Sequence, residues 1–266
     1  MYRKKNLLLT NDDGYTSKGI QTLYQSLKDE YRVVIVAPDS EKSGVSHSFT
    51  INQPLFYSRV FNSYADEMYC LSGSPADCVK FAIRNILNDL PDLIISGLNI
   101  GENSGVSSHY SGTVAAAREG AFWKIRSLAF SVCMEAEEYS TLYAEMTPGI
   151  IHDIVDNNHD AERTIFYNVN FPACHPDESK GIKITRQSLA FFDDKYRETG
   201  ESTNDKNRSP GYVIYGKKID LELSDDYDSR ALQNNWITIT PLSFDSTAYS
   251  EIMKIKGIEK NYPHKV

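Results

Sequence analysis

The sequence predicts an α/β protein built on an open, mostly parallel sheet covered by helices on both faces. Three observations predict it. Short apolar, β-branched runs recur at 7–10, 32–36, 92–96 and 127–132. Segments with helical periodicity stand between several of them, the alternation expected of βαβ units. The runs are near-continuously apolar, as strands buried on both faces are.

Residues 7–10 form the first strand. Ser17 then caps a helix whose Ile20, Leu23, Tyr24 and Leu27 recur on one face. Residues 32–36 are the second strand, and 49–71 reads as short strands or hairpins inserted between two units. Ser74 as N-cap, Pro75 at the first helical position and Asp77 in the capping-box slot predict a helix over 75–89. A third strand at 92–96, a helix of small residues at 112–123 and a fourth strand at 127–132 follow. After about residue 175 charges and aromatics mix without clear period. There 200–210 (GESTNDKNRSP) reads as a mobile loop, and 212–215 and 236–240 as late strands. No internal repeat or low-complexity tract interrupts the chain.

Composition narrows the function. The 266 residues are 41% hydrophobic and 24% charged, ordinary for a soluble globular protein. A net charge of −8 argues against a partner such as a nucleic-acid duplex, which would select a basic face. No apolar run reaches membrane-span length, and the N-terminus leads into a strand rather than a signal-peptide core, so no membrane partner and a cytoplasmic location are expected. Cys70, Cys78, Cys133 and Cys174 form no CxxC pair, which fits free thiols in a reducing compartment and disfavours zinc.

In open α/β sheets ligands bind beyond the carboxyl ends of the strands. The first strand is followed by Asn11-Asp12-Asp13-Gly14, the second by a loop containing Ser43-Gly44, and the third by a loop running from Gly97 through Asn99 and Asn103 to Gly105. These loops carry oxygen donors and glycines. Adjacent carboxylates repel, so Asp12 and Asp13 belong either to a solvated turn or to a site for a hard divalent ion such as Mg²⁺ or Mn²⁺. Recurrence of oxygen donors at the other strand ends favours the ion. Ser111-Gly112-Thr113 opens the small-residue helix, where free backbone N–H groups and two hydroxyls suit a phosphate; plain helix capping is the competing reading. Neither a Walker A motif nor a GxGxxG fingerprint is present.

Five motifs in one order resemble the SurE family of 5'/3'-nucleotidases. They are Asn11-Asp12-Asp13-Gly14 with Gly19-Ile20, Ala37-Pro38 with Ser43-Gly44, and Gly73-Ser74-Pro75-Ala76-Asp77-Cys78-Val79. Ser96-Gly97-Leu98-Asn99-Ile100-Gly101-Glu102-Asn103 and Ser111-Gly112-Thr113-Val114 complete the set. The likeness spans about 6–190, includes Thr185-Arg186-Gln187, and returns faintly at Ile239-Thr240-Pro241-Leu242. It implies a Rossmann-like three-layer fold, with a catalytic core at 1–175 and a smaller β-rich oligomerisation region at 176–266. It also implies a homodimer or homotetramer that hydrolyses nucleoside monophosphates, some relatives also trimming polyphosphate.

By motif position, the resemblance implies one divalent ion held by Asp12, Asp13, Ser43 and Asn99. Ser111, Gly112 and Thr113 would hold the phosphate, and Asn11 and Asn103 would orient water or phosphate. Asp12 is the candidate for an acid–base role beyond ligation, beside Asp13 in the catalytic pair. Two readings compete with the nucleotidase: a phosphatase for polyphosphate or sugar phosphates, and a non-catalytic nucleotide-binding protein on the same fold. The acid pair counts against the second, because anions without a metal would repel phosphate. His47 and His109 read more simply as loop packing than as substrate contacts, Asp77 as a cap, and Glu41 and Lys42 as solvated charges. The acidic run Asp225-Asp226-Tyr227-Asp228 reads as exposed surface.

Overall fold

A computed structural model describes residues 4–61, 64–155, 164–199 and 211–261. The sequence-predicted loop at 200–210 lies outside the described residues. The central strand is β1 (Lys5–Thr10), flanked in parallel by β2 (Tyr31–Pro38) on one side and β5 (Leu93–Ile100) on the other. Outward from β2 lie β4 (Met68–Leu71), parallel to it, and then β3 (Tyr57–Arg59), antiparallel at the edge. Outward from β5 lie β6 (Arg126–Val132) and β7 (Ile165–Phe171), both parallel. Past β7 the sheet continues with β11 (Ile237–Ser243), antiparallel to it, and β8 (Ile182–Ile184).

Side-chain alternation decides which helix covers which face. Leu7, Leu9, Ile35 and Ile95 point to the face covered by α1 (Lys18–Leu27) and α5 (Ser140–Val155). Leu8, Val34, Val36 and Ile94 point to the face of α2 (Pro75–Phe81) and α4 (Gly112–Phe122). Alanines 115–117 and 121 of α4 are fully buried, and the helix packs on β5, β6 and β7. Its small-residue face is a core face.

The predicted capping devices are present. The Ser17 side chain accepts from Ile20 N, and Ser74 and Asp77 make a reciprocal capping box with Pro75 in the first turn. The helix predicted over 75–89 stops sooner: after Phe81 its last turn, Ala82–Ile86, widens to π geometry and Leu87 is extended. Strand β5 runs four residues past the predicted Ser96, with a register shift against β6 between Ser96 and Asn99. Among the elements without a sequence expectation are α5 and β7. In α5 an internal Pro148 masks the helical pattern, and β7 carries Asn168 and Asn170 in its buried run.

The ribbon β9 (Phe191–Glu198) and β10 (Tyr212–Ile219) forms a separate two-stranded sheet, every residue of β9 exposed. The remaining helices are the single turn α3 (Ser107–Tyr110), α6 (Asp228–Gln233) beside β11, and the exposed α7 (Tyr249–Ile255). The four cysteines are free thiols. Among the described residues no helix is long and apolar enough to cross a membrane.

Candidate active site

The chain runs from β1 to β2 and β4 on one side, then returns to place β5 on the other side of β1. The loops leaving β1 and β5 therefore diverge, and the crevice between them is the topological switch point where α/β sheets bind ligands. The Asp12–Asp13 pair follows β1 directly, and Asn99 lies near the end of β5.

Asn11 and Asp12 are held differently. Asn11 is fully buried, and its Nδ2 donates to Gly14 O at 3.0 Å and Ser17 Oγ at 2.8 Å, tying the turn to the cap of α1. Its Oδ1 is buried without a hydrogen-bond partner. Asp12 is 4% exposed, and its Oδ1 accepts a short hydrogen bond from Thr113 Oγ1. Backbone N–H groups of Gly112 and Thr113 also support this carboxylate. Gly112 is required by that approach: a Cβ there would lie 2.8 Å from Asp12 Cβ and 3.0 Å from Pro75 Cγ. The N-terminus of α4, with its positive dipole end, thus lies against Asp12.

The neighbouring loops close onto this point. Lys42 N donates to Asp12 O at 2.7 Å, which ties the loop after β2 to the end of β1. Ser46 donates from N to Tyr110 O at 2.8 Å and from Oγ to His109 O at 2.7 Å, tying the same loop to α3. Further along it, His47 Nε2 is 2.9 Å from buried Glu119, which also accepts from Lys80 and Trp123, and its ring stacks on Phe122. Thr50 N and Oγ1 donate to Asp77 at 2.9 and 2.8 Å, so Asp77 holds this loop as well as capping α2.

The remaining predicted residues occupy different settings. Ser43 is exposed and donates to Glu41 Oε1 at 2.8 Å. Asn99 uses Nδ2 on Gly101 O at 2.5 Å, leaving Oδ1 as an acceptor. Asn103 is locked into the ends of β6 and β7: its N donates to Asn170 Oδ1, its Nδ2 to Ser131 Oγ, and its O accepts from Asn168 Nδ2. One Nδ2 proton is thus committed to Ser131, and an Asn amide carries two. Ser111 Oγ accepts from Val114 N as the cap of α4. The structure thus brings Asp12, Gly112 and Thr113 into direct contact, with Asp13 and Ser111 adjacent in sequence. Among the described residues no hydrogen bond joins Ser43 or Asn99 to the acid pair.

Burial raises the Asp12 carboxyl above its ordinary value, against the lowering effect of Thr113. Asp13 is pushed up to about 7, first by burial and then by the charges of Asp12 and Glu41. Among the described residues no ion pair involves either. Two adjacent acids with no ion-pair partner among the described residues, together with the neutral oxygens of Asn99 and Ser43 on the loops from the neighbouring strands, make a donor set that suits a hard divalent ion. The residues fit the group.

The acidic run at 225–228 departs from the expectation of exposed surface. Asp228 is fully buried and accepts from three backbone N–H groups, and Asp225 accepts from Asn234 Nδ2 and Trp236 Nε1. Its role was not readable from sequence, because its partners Gly105 and Ser188 lie 123 and 40 residues away. His109 is exposed, its Nε2 3.0 Å from Gln187 Nε2.

Comparison with known proteins agrees with the geometry. The family profile described as Survival protein SurE matches residues 7–194. A protein of Christiangramia forsetii named 5'-nucleotidase SurE is 37% identical, covering 98% of this chain and 100% of its own. One of the same name from Natranaerobius thermophilus is 36% identical over 92% of this chain and 95% of its own. The crystal structure of the SurE protein from Aquifex aeolicus superposes with a TM-score of 0.80 at 36% identity, covering 96% of this chain and 99% of that one.

Proposed function

The chain belongs to the Survival protein SurE family, and from that premise we propose that it is a metal-dependent phosphomonoesterase, a 5'-nucleotidase. Its substrates are nucleoside 5'-monophosphates, with 3'-monophosphates next, and its products are nucleoside and phosphate. The observation that carries this reading is the buried Asp12 beside Asp13 at the switch point, set against the N-terminus of α4 with, among the described residues, no cationic side chain paired to either acid.

When bound there, a divalent ion such as Mg²⁺ or Mn²⁺ would supply Lewis-acid chemistry for a phosphoryl oxygen and a more acidic water. Asp12, Asp13, Ser43 Oγ and Asn99 Oδ1 are the groups that would hold it. Thr113 fixes one Asp12 oxygen by donating to it, which orients the carboxylate. Ser111 Oγ has its lone pair on Val114 N and a proton to donate to a phosphoryl oxygen. The positive end of α4 stabilises negative charge growing on the phosphoryl group. Asn11, with Oδ1 uncommitted, and Asn103, with one Nδ2 proton committed to Ser131 Oγ, would orient water or phosphate.

Assembly into a homodimer or homotetramer through 176–266 is supported by the β9–β10 ribbon. Phe191, Phe192, Tyr196, Tyr212, Ile214 and Tyr215 are exposed there, more apolar surface than an isolated two-stranded ribbon would leave in water. A cytoplasmic location is supported by the four free thiols. The test of substrate class is phosphate release from 5'- and 3'-nucleoside monophosphates, sugar phosphates and short polyphosphate, with Mg²⁺, Mn²⁺ or EDTA. Selective, EDTA-sensitive release from the 5'-monophosphates is expected. Preference for sugar phosphates or polyphosphate, or nucleotide binding without turnover, would overturn the assignment.

A further inference from the structure

We propose that Asp228 is a positioning residue for the phosphate-binding end of the site, acting through Gly105. The role rests on the nucleotidase reading for its chemistry and on the following contacts for its geometry. The Asp228 carboxylate is fully buried and, among the described residues, has no cationic partner. Instead Oδ2 accepts from Gly105 N at 3.0 Å, and Oδ1 accepts from Ser188 N at 2.8 Å and Ser229 N at 2.7 Å. Charge-assisted bonds of this kind are about twice as strong as neutral ones.

Gly105 is gripped on every side. Gln187 Nε2 donates to its carbonyl at 3.0 Å and to Ser108 Oγ at 2.9 Å, and Val106 N donates to Ala190 O at 2.9 Å. Its φ is +61°, and a Cβ would lie 2.6 Å from Ala190 O, so the approach admits only glycine. The chain then makes the single turn α3 and arrives at Ser111, the cap of α4. A four-residue turn has no stability of its own, so its direction is set by its anchors, Gly105 before it and Ser111 after it. The backbone of Asp12 and Asp13 instead follows β1, fixed by its pairing with β2 and β5, and Asp12 meets the clamped segment past Ser111, through Thr113.

The separation gives a test. Asp228→Asn preserves shape but sets an amide NH₂ against backbone donors; Gln187→Met preserves length and removes the donors. Each variant is measured for kcat and KM on a 5'-monophosphate with Mn²⁺, for Mn²⁺ affinity by calorimetry, and for metal-free amide exchange. The expected result is a fall in kcat of about 10–100-fold, with Mn²⁺ affinity held within about twofold. Faster exchange across 105–113 but not 5–14 accompanies it. Activity within about twofold of the parent in folded variants overturns the proposal, as does a kcat loss that only follows lost Mn²⁺ affinity. If Asp228→Asn does not fold, Gln187→Met decides by the same criteria. A parent without nucleotide turnover counts against the proposed function alone. In that case exchange at 105–113 decides the clamp, and unchanged rates overturn it.

Discussion

Thr113 donates its hydroxyl to Oδ1 of Asp12, joining the first turn of α4 to the end of β1 across 101 residues of sequence. One bond thereby couples the segment that suits a phosphate to the acid that suits a metal. Asp12 also gains from the helix N-terminus, since an anion there is favoured by about 0.3–1 kcal/mol at exposed sites and more where partly buried.

Removing that donor should loosen the carboxylate without disturbing the fold. Thr113→Val is expected to lower kcat/KM by about 10–100-fold, the range for partners that orient a metal ligand. Thr113→Ser should recover most of the loss. Steady-state kinetics with circular dichroism of each variant is the check; a valine variant as active as the parent would remove Thr113 from the account.

Gly112→Ala forces a methyl group to 2.8 Å from Asp12 Cβ. Overpacking of this kind costs about 1–3 kcal/mol, readable as a lower denaturation midpoint in urea. Activity should fall further than stability, because the atom that must yield belongs to the acid pair.

Glu119 ties α4 to α2 and to the loop carrying Ser43 through Lys80, His47 and Trp123. Hydrogen bonds from these three partners, with the Lys80 charge, hold its carboxyl below the ordinary 4.5 despite burial. A depressed carboxyl contributes stability above its unfolded value and loses it as pH falls through the folded one. Glu119→Gln should therefore cost about 1–3 kcal/mol near pH 7, and the difference from the parent should shrink below pH 4.5. Denaturant melts at both pH values decide it.

Asp13 runs the opposite way. Its pKa is raised from 3.8 to about 7, so the metal-free protein binds a proton there that the unfolded chain has released. That contribution to stability is full below 3.8 and is lost as pH rises through 7. Mn²⁺ must displace the proton, so its apparent affinity should rise about tenfold per pH unit below 7 and level off above about 8. Calorimetric titration from pH 5.5 to 8.5 measures the slope, and a flat profile would contradict the assignment.

The sheet core was legible because Leu7, Leu8 and Leu9, like Val33 to Val36, are apolar on both parities, a pattern only a doubly covered strand needs. The acid pair and the α4 cap were legible because their chemistry is local in sequence. Asp228 was not: an acidic run looks alike whether water or distant backbone N–H groups satisfy it, and only the fold brings Gly105 to it. Strand β11 was found as a strand, but its antiparallel pairing with β7 follows from long-range register. In α5, Pro148 broke a pattern that tertiary packing of Tyr143, Ala144 and Ile151 sustains.

The most direct test of the acid pair as a metal site is Mn²⁺ titration of the parent and of Asp13→Asn, run beside nucleotide hydrolysis with and without EDTA. The account predicts about one tightly bound ion per parent chain, turnover abolished by EDTA, and both binding and turnover lost in the variant. Turnover that survives EDTA and the substitution would contradict it, leaving Asp12 and Asp13 as a turn rather than a metal site.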